Sequence, residues 1–185
     1  MTRLVRAVRY VRVMFPPAVL APAGAAQFLA LYLALQALTR TAPFEMGWRA
    51  AVGAVSTVLW MLLIRLQDDI TDAPADLRLG QAGDPRYRDR PIARGDITEA
   101  ELRHLAATVA LALVGLNLLA GGPAMAVALV GGLTVTWLGF KWFFIPALAR
   151  DPSPLAYLAR KVLTVLFGLY ACAVYWDEIG PLTPT

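Results

Sequence analysis

The sequence predicts an all-α polytopic membrane bundle of about five transmembrane helices, and three observations predict it. Hydrophobic residues fill 58% of the 185 positions and charged residues only 16%, with a mean hydropathy of +0.58, which is far more apolar than an ordinary soluble domain. Five apolar segments approach the roughly 20 residues that a helix needs to cross the hydrocarbon core. Arginine and lysine gather in three of the regions around those segments and nearly avoid the others. Cys172 is the single cysteine, so no intrachain disulfide contributes and the residue reads as a small packing group. The net charge of +4 and the pI near 9.6 come from cations that flank apolar spans, with no aromatic interleaving or reader motif, which argues against nucleic acid as a partner.

Taken in order, residues 1–17 form a basic amphipathic segment. Arg3, Arg6, Arg9 and Arg12 recur at every third position, interleaved with Leu4, Val5, Val8, Val11 and Val13, a pattern that suits a helix lying on a membrane surface. Pro16 and Pro17 end it. The small-residue run from Ala21 to Ala26 also has the character of a secretory cleavage site, but the arginine periodicity fits a surface helix better. The bundle follows over residues 18–176, with spans expected at Ala18 to Leu38, Gly47 to Leu66, Leu102 to Ala120, Met125 to Ile145 and Leu155 to Trp176. Gly121-Gly122-Pro123 is a tight turn that makes the third and fourth spans a helical hairpin. Residues 177–185 form a tail.

Charge orients the bundle. Arg3 to Arg12, the group Arg78, Arg86, Arg88, Arg90 and Arg94, and the group Lys141, Arg150, Arg160 and Lys161 all fall on one side, against only Arg40 and Arg49 on the other. The positive-inside rule therefore places the amino terminus and the long polar loop in the cytoplasm, and the chain in a cell (inner) membrane.

That loop, residues 67–100, carries the chemistry. Asp68, Asp69, Asp72 and Asp76 give four carboxylates in nine positions, and residues three, four and seven apart share a helix face. Like charges so close repel unless a cation joins them, and hard oxygen ligands suit Mg²⁺, which also takes substrate phosphates. The plainer reading is a solvated acidic helix end. Pro74 disfavours helical geometry at Ala73, so the second helix is expected to stop near Asp72, with Asp76 approaching from the loop. Seven acids and five arginines between Leu66 and Thr98 suit a lid that holds a cation and a polyanion together.

Asp68-Asp69-Ile70-Thr71-Asp72-Ala73-Pro74-Ala75-Asp76 resembles the first aspartate-rich motif of the UbiA superfamily of intramembrane prenyltransferases, N/D-D-x-x-D-x-x-x-D, found at the cytoplasmic end of the second helix. Asp89-Arg90-Pro91-Ile92-Ala93-Arg94-Gly95-Asp96-Ile97-Thr98 resembles the N-R-P-L-x-x-G-x-I-S stretch of that family. The resemblance implies a membrane transferase with a Mg²⁺ cofactor. It would bind a polyprenyl diphosphate and pass the isoprenoid group to an aromatic or other lipophilic acceptor. By position it makes Asp68, Asp69, Asp72 and Asp76 the catalytic metal ligands, and Arg90 and Lys141 the substrate-binding cations. Membrane lipid is the surrounding partner.

The chain matches only the first half of such a protein. Members have about nine helices and a second motif, D-x-x-x-D, after the sixth; Asp177 and Glu178 are adjacent and on the wrong side, so they do not replace it. The expectation is therefore a second chain that completes the bundle, or a truncated, non-catalytic membrane scaffold or partner subunit of a split enzyme. A terpene cyclase of the same superfamily would use the same metal-assisted ionisation without an acceptor. Soluble polyprenyl synthases share D-D-x-x-D but do not need five apolar spans.

Other residues read as structural. His104 has no Cys or His at ligand spacing, Asn117 and Gln27 suit interhelical hydrogen bonds, and Trp137, Trp142, Phe143 and Phe144 suit an interfacial aromatic belt. Gly131-Gly132, Gly53 and Ala54 suit close helix packing.

Overall fold

The computed structural model describes residues 2–39, 44–139 and 162–180, and all regular structure within them is helical. The helices are α1 (Arg3–Met14), α2 (Pro17–Thr39), α3 (Trp48–Gln81), α4 (Glu99–Ala120), α5 (Pro123–Leu138) and α6 (Val162–Ile179). Of these α2, α3 and α4 are long and apolar enough to cross a membrane, and the fold is a helical membrane bundle. The fourth and fifth expected spans are seen in part, because residues 140–161 lie outside the described set. Lys141, Arg150, Arg160, Lys161 and the aromatic residues 142–144 lie there too.

Helix α3 is the axis of the assembly, packed against α2, α4 and α6, while α5 closes on α6 and α4, and α1 lies across α4. Trp60 of α3 is fully buried and meets Phe167 and Tyr170 of α6 edge-on at 5.2 and 6.0 Å between centroids. Its indole N–H donates to the Thr136 hydroxyl at 3.3 Å, so the large ring brings α3, α5 and α6 together without a stranded donor. Small residues make room for such rings: a Cβ at Gly132 would overlap the Trp60 ring, and one at Gly53 the Phe28 ring. Asn117 is the polar counterpart. Its amide donates to the Ser56 hydroxyl at 2.9 Å and its carbonyl accepts from the Tyr170 hydroxyl at 2.7 Å, which joins α4 to α3 and α6 as the sequence led one to expect.

The end of the bundle remote from the aspartates is closed by helix capping. Gly121 takes the left-handed conformation at the end of α4 (φ 68°), and Pro123 begins α5, where its missing N–H is harmless. The Asp177 carboxylate accepts from the amides of Ala124 and Met125 at 3.2 and 2.7 Å, and the Glu178 carboxylate accepts from the Ala50 amide at 3.2 Å. Two adjacent acids thus cap the N-termini of α5 and α3, where free amides and the helix dipole favour negative charge. Arg49 donates to the carbonyls of Ala120 and Asp177, which accounts for one of the two cations the sequence assigns to this side; Arg40 lies outside the described residues.

At the opposite end the structure corrects the expected boundary. Helix α3 does not stop near Asp72 but runs through Pro74 to Gln81, so the polar connection begins near residue 82 rather than 67, and Asp76 is a helical residue. Proline removes one backbone bond and crowds the preceding turn. Tertiary packing outweighs that cost here: Ala73 is fully buried, Leu77 packs against the core, and Asp76 is held by an ion pair.

Candidate functional site

The four aspartates occupy the polar end of α3, within an arc of about 100° at 3.6 residues per turn. Their surroundings divide them. Asp69 and Asp76, two turns apart, face α1 and the 82–98 segment; Asp72 is exposed; the Asp68 side chain is 41% exposed and lies 3.8 Å from Arg65. Asp76 is the most enclosed, at 5% side-chain exposure, and accepts from the Arg90 guanidinium at 2.5 Å. Arg90 in turn lies over the Tyr87 ring, 5.0 Å from its centroid, a cation–π contact that fixes the fork. The hydrogen bond to Asp76 is the main reason the guanidinium is held more firmly charged than usual.

Asp69 accepts a hydrogen bond from the Tyr10 hydroxyl. Tyr10 is buried on α1, and that burial, reinforced by the adjacent carboxylate, pushes its phenol well above the ordinary range, so it remains a donor. A further tie holds α1 in place: Arg6 pairs with Glu101 of α4 at 2.5 Å. Glu101 also completes a capping box with Thr98, accepting from the Thr98 amide at 3.0 Å while its own amide donates to the Thr98 hydroxyl at 3.2 Å. That fixes where α4 starts.

The 82–98 segment is ordered by its own sequence. Asp84 accepts from the Arg86 amide at 2.9 Å and from its guanidinium at 2.9 and 3.2 Å, contacts that hold its carboxyl below the usual range. Gly95 supplies a left-handed turn (φ 73°), and Pro91, Ile92 and Ile97 are buried beneath it. The Arg90 to Thr98 stretch therefore works locally as a clip: its apolar residues anchor the segment so that Arg90 reaches Asp76.

Between Tyr10, Asp69, Asp76, Arg90 and Ile92 the remaining space is about 10 Å³, room for one water or ion and no more. The Asp69 and Asp76 carboxylates are hard oxygen donors of the kind Mg²⁺ takes, but the Arg90 guanidinium lines the same space and already supplies the positive charge beside Asp76. The helical spacing lets Asp69, Asp72 and Asp76, or Asp68, Asp72 and Asp76, converge, but among the described residues no three His, Cys, Asp or Glu side chains come together as a metal site. The physical reason is that Asp69 is turned to Tyr10 and Asp76 to Arg90, leaving Asp68 and Asp72 towards Arg65 and solvent. Lys141 lies outside the described residues. His104 is exposed at the start of α4, with no ligand cluster around it.

Sequence reasoning missed Tyr10, whose only signal was an aromatic residue within a run of valines and arginines. A second cleft, about 360 Å³, lies between α3, α4 and α5 and is lined by Leu63, Gln67, Arg103, Ala106, Leu133 and Trp137. By helical register Leu63 and Gln67 sit on roughly the opposite side of α3 from Asp69 and Asp76, so this cleft is separate from the carboxylates. Comparison with family models, characterised proteins and solved structures returned no match for the chain.

Proposed function

We propose that the chain is a UbiA-like membrane prenyltransferase, or one part of such an enzyme. It binds a polyprenyl diphosphate through Mg²⁺ at the polar end of α3 for transfer to an aromatic or other lipophilic acceptor. The observation that carries the reading is the enclosed Asp76–Arg90 pair beside Asp69, around an ion-sized space at the end of an apolar bundle. Enclosing a carboxylate is costly, and the Arg90 pairing that offsets the cost also holds the 82–98 segment over Asp69.

In this reading Asp69 and Asp76 hold the cation, with Asp68 and Asp72 at the open edge of the same arc. Bound Mg²⁺ supplies neutralisation of the charge that develops on a diphosphate leaving group. Arg90 offers the diphosphate the donors not engaged by Asp76, and Tyr87 keeps its fork in place. Lys141 is the proposed second cation. Tyr10 keeps Asp69 oriented and must release it, or share it, when the ligand enters. The positive-inside distribution supports a cytoplasmic position for this end.

A second reading has its own support. Tyr10 and Arg90 already satisfy the inner carboxylates, as they would in a non-catalytic partner subunit that keeps the helix end and has lost the metal.

The test is binding of labelled farnesyl diphosphate to the full chain in detergent, with and without Mg²⁺, followed by turnover with candidate acceptors. Mg²⁺-dependent binding that falls at least about tenfold in Asp76→Asn and Asp69→Asn, each removing one ligand, supports the proposal. Binding that ignores Mg²⁺ and both substitutions refutes it, and Mg²⁺-dependent binding without turnover favours the partner-subunit reading.

A further inference from the structure

On the outer side of Tyr10 a different site opens. Helix α1 and the 82–98 segment enclose a cleft of about 340 Å³ lined by Arg6, Arg9, Tyr10, Val13, Asp89 and Arg94, with Asp96 also at its wall. That volume is in the range of small-ligand pockets. It is distinct from the carboxylate space, sharing only Tyr10 and Pro91 with it.

The charges around the cleft are unevenly satisfied. Arg94 pairs with Asp96 at 2.5 Å, and Asp89 lies 3.6 Å from Arg88. Arg6 gives one terminal nitrogen to Glu101, while its Nε is buried without a hydrogen-bond partner. A buried donor left unmade is costly and calls for an acceptor. Arg9 makes no ion pair with any described residue. Three arginines against two carboxylates leave one positive charge in the wall. Adding the outer partners Arg88 and Glu101 leaves that balance unchanged.

The same helix turns the apolar Val13 outward at the cleft wall. Val13 is 61% exposed, and by helical register the exposed Val5 lies about 80° from it, whereas Leu4 and Val8 lie on the other side of α1. Such a side suits the boundary of a bilayer rather than water. A ligand with an acidic head and an apolar body would meet both surfaces at once.

We propose that this cleft binds a phosphate ester bearing a single negative charge, the headgroup of an anionic phospholipid, with Arg6, Arg9 and Arg94 as its donors. Arginine forks match phosphate oxygens in pairs, and the single unbalanced charge suits a phosphodiester rather than a diphosphate. Acyl chains would then leave the cleft past Val13. The inference rests on the membrane bundle and not on prenyl transfer, so neither reading falls with the other.

The experiment is native mass spectrometry of the full chain in detergent, titrated with phosphatidylglycerol or phosphatidylcholine. Phosphatidylglycerol retained in preference to phosphatidylcholine is expected, weakened about tenfold by Arg9→Gln and by Arg94→Gln. Arg12→Gln, which removes the same charge from the same helix outside the cleft, should bind as the wild type does. Equal retention of the two lipids overturns the proposal, as do equal losses in Arg9→Gln and Arg12→Gln, which would mean diffuse attraction. Glycerophosphoglycerol, the same headgroup without acyl chains, separates the sources: no competition at equal concentration assigns the site to membrane lipid, and full competition to a soluble ester.

Discussion

Replacing Arg90 with methionine tests the local architecture directly. The substitution keeps the length of the side-chain stem and removes the one cation among the described residues that pairs with Asp76, whose side chain is 5% exposed. Stripping one partner from a buried ion pair commonly costs about 3 to 5 kcal/mol. Arg90 is itself 37% exposed, so water reaches the vacated position, and a smaller loss of about 2 kcal/mol is expected. For a chain of this size that corresponds to a fall of about 4 to 8 °C in the apparent melting temperature measured in detergent. Arg88→Met is the control, because Arg88 and Asp89 are 64% and 75% exposed and 3.6 Å apart; it should change stability by less than about 0.5 kcal/mol. In a double-mutant cycle with Asp76→Asn the two losses should not add, leaving a coupling of about 1 to 2 kcal/mol. If Arg90→Met melts with Arg88→Met, the Asp76–Arg90 pair does not hold the 82–98 segment to α3 and the clip is wrong. Added Mg²⁺ that restores the stability of Arg90→Met would show a cation taking the place of the guanidinium.

Three further substitutions probe the bundle. Gly132→Ala should lower the melting midpoint by the equivalent of about 1 to 3 kcal/mol because its Cβ would overlap the Trp60 ring, whereas Gly131→Ala, which meets nothing within 4 Å, should be neutral or slightly stabilising. Asn117→Ala should cost about 1 to 2 kcal/mol by unmaking the bonds to Ser56 and Tyr170, with Ser56→Ala costing less. Asp177→Ala should lose about 1 kcal/mol of capping at α5 while Asp177→Asn keeps most of it, read in the same thermal assay.

The outline of the bundle was legible because hydropathy and turn chemistry are local. The starts and ends of α2 and α4, the Gly121-Gly122-Pro123 turn and the Pro16-Pro17 break follow from residues adjacent in sequence. Asn117 was legible as an interhelical bond because a lone amide in an apolar span has few other uses. The passage of α3 through Pro74 was not. The proline rule weighs only neighbours, whereas the helix beyond it is held by Leu77 in the core and by the pairing of Asp76 with Arg90, fourteen residues further on. That same error moved Asp76 into a loop and hid the division of the four aspartates into two environments. Tyr10 could not be read because its partner is 59 residues away. The Thr98-x-x-Glu101 box was readable and sets the start of α4, but a capping signal next to a long charged stretch is easily counted as more charge.

Asp177 and Glu178 make the order of synthesis consequential. The first amides of α3 and α5 find their acceptors on α6, which emerges from the ribosome after both. Until then these helix starts are left to water or to the insertion machinery. The arrival of α6 satisfies them, at an end of α3 that lies 18 to 26 residues from its four aspartates. A lesion at Asp177 and Glu178 would therefore leave two helices uncapped at once, although neither helix carries the changed residues.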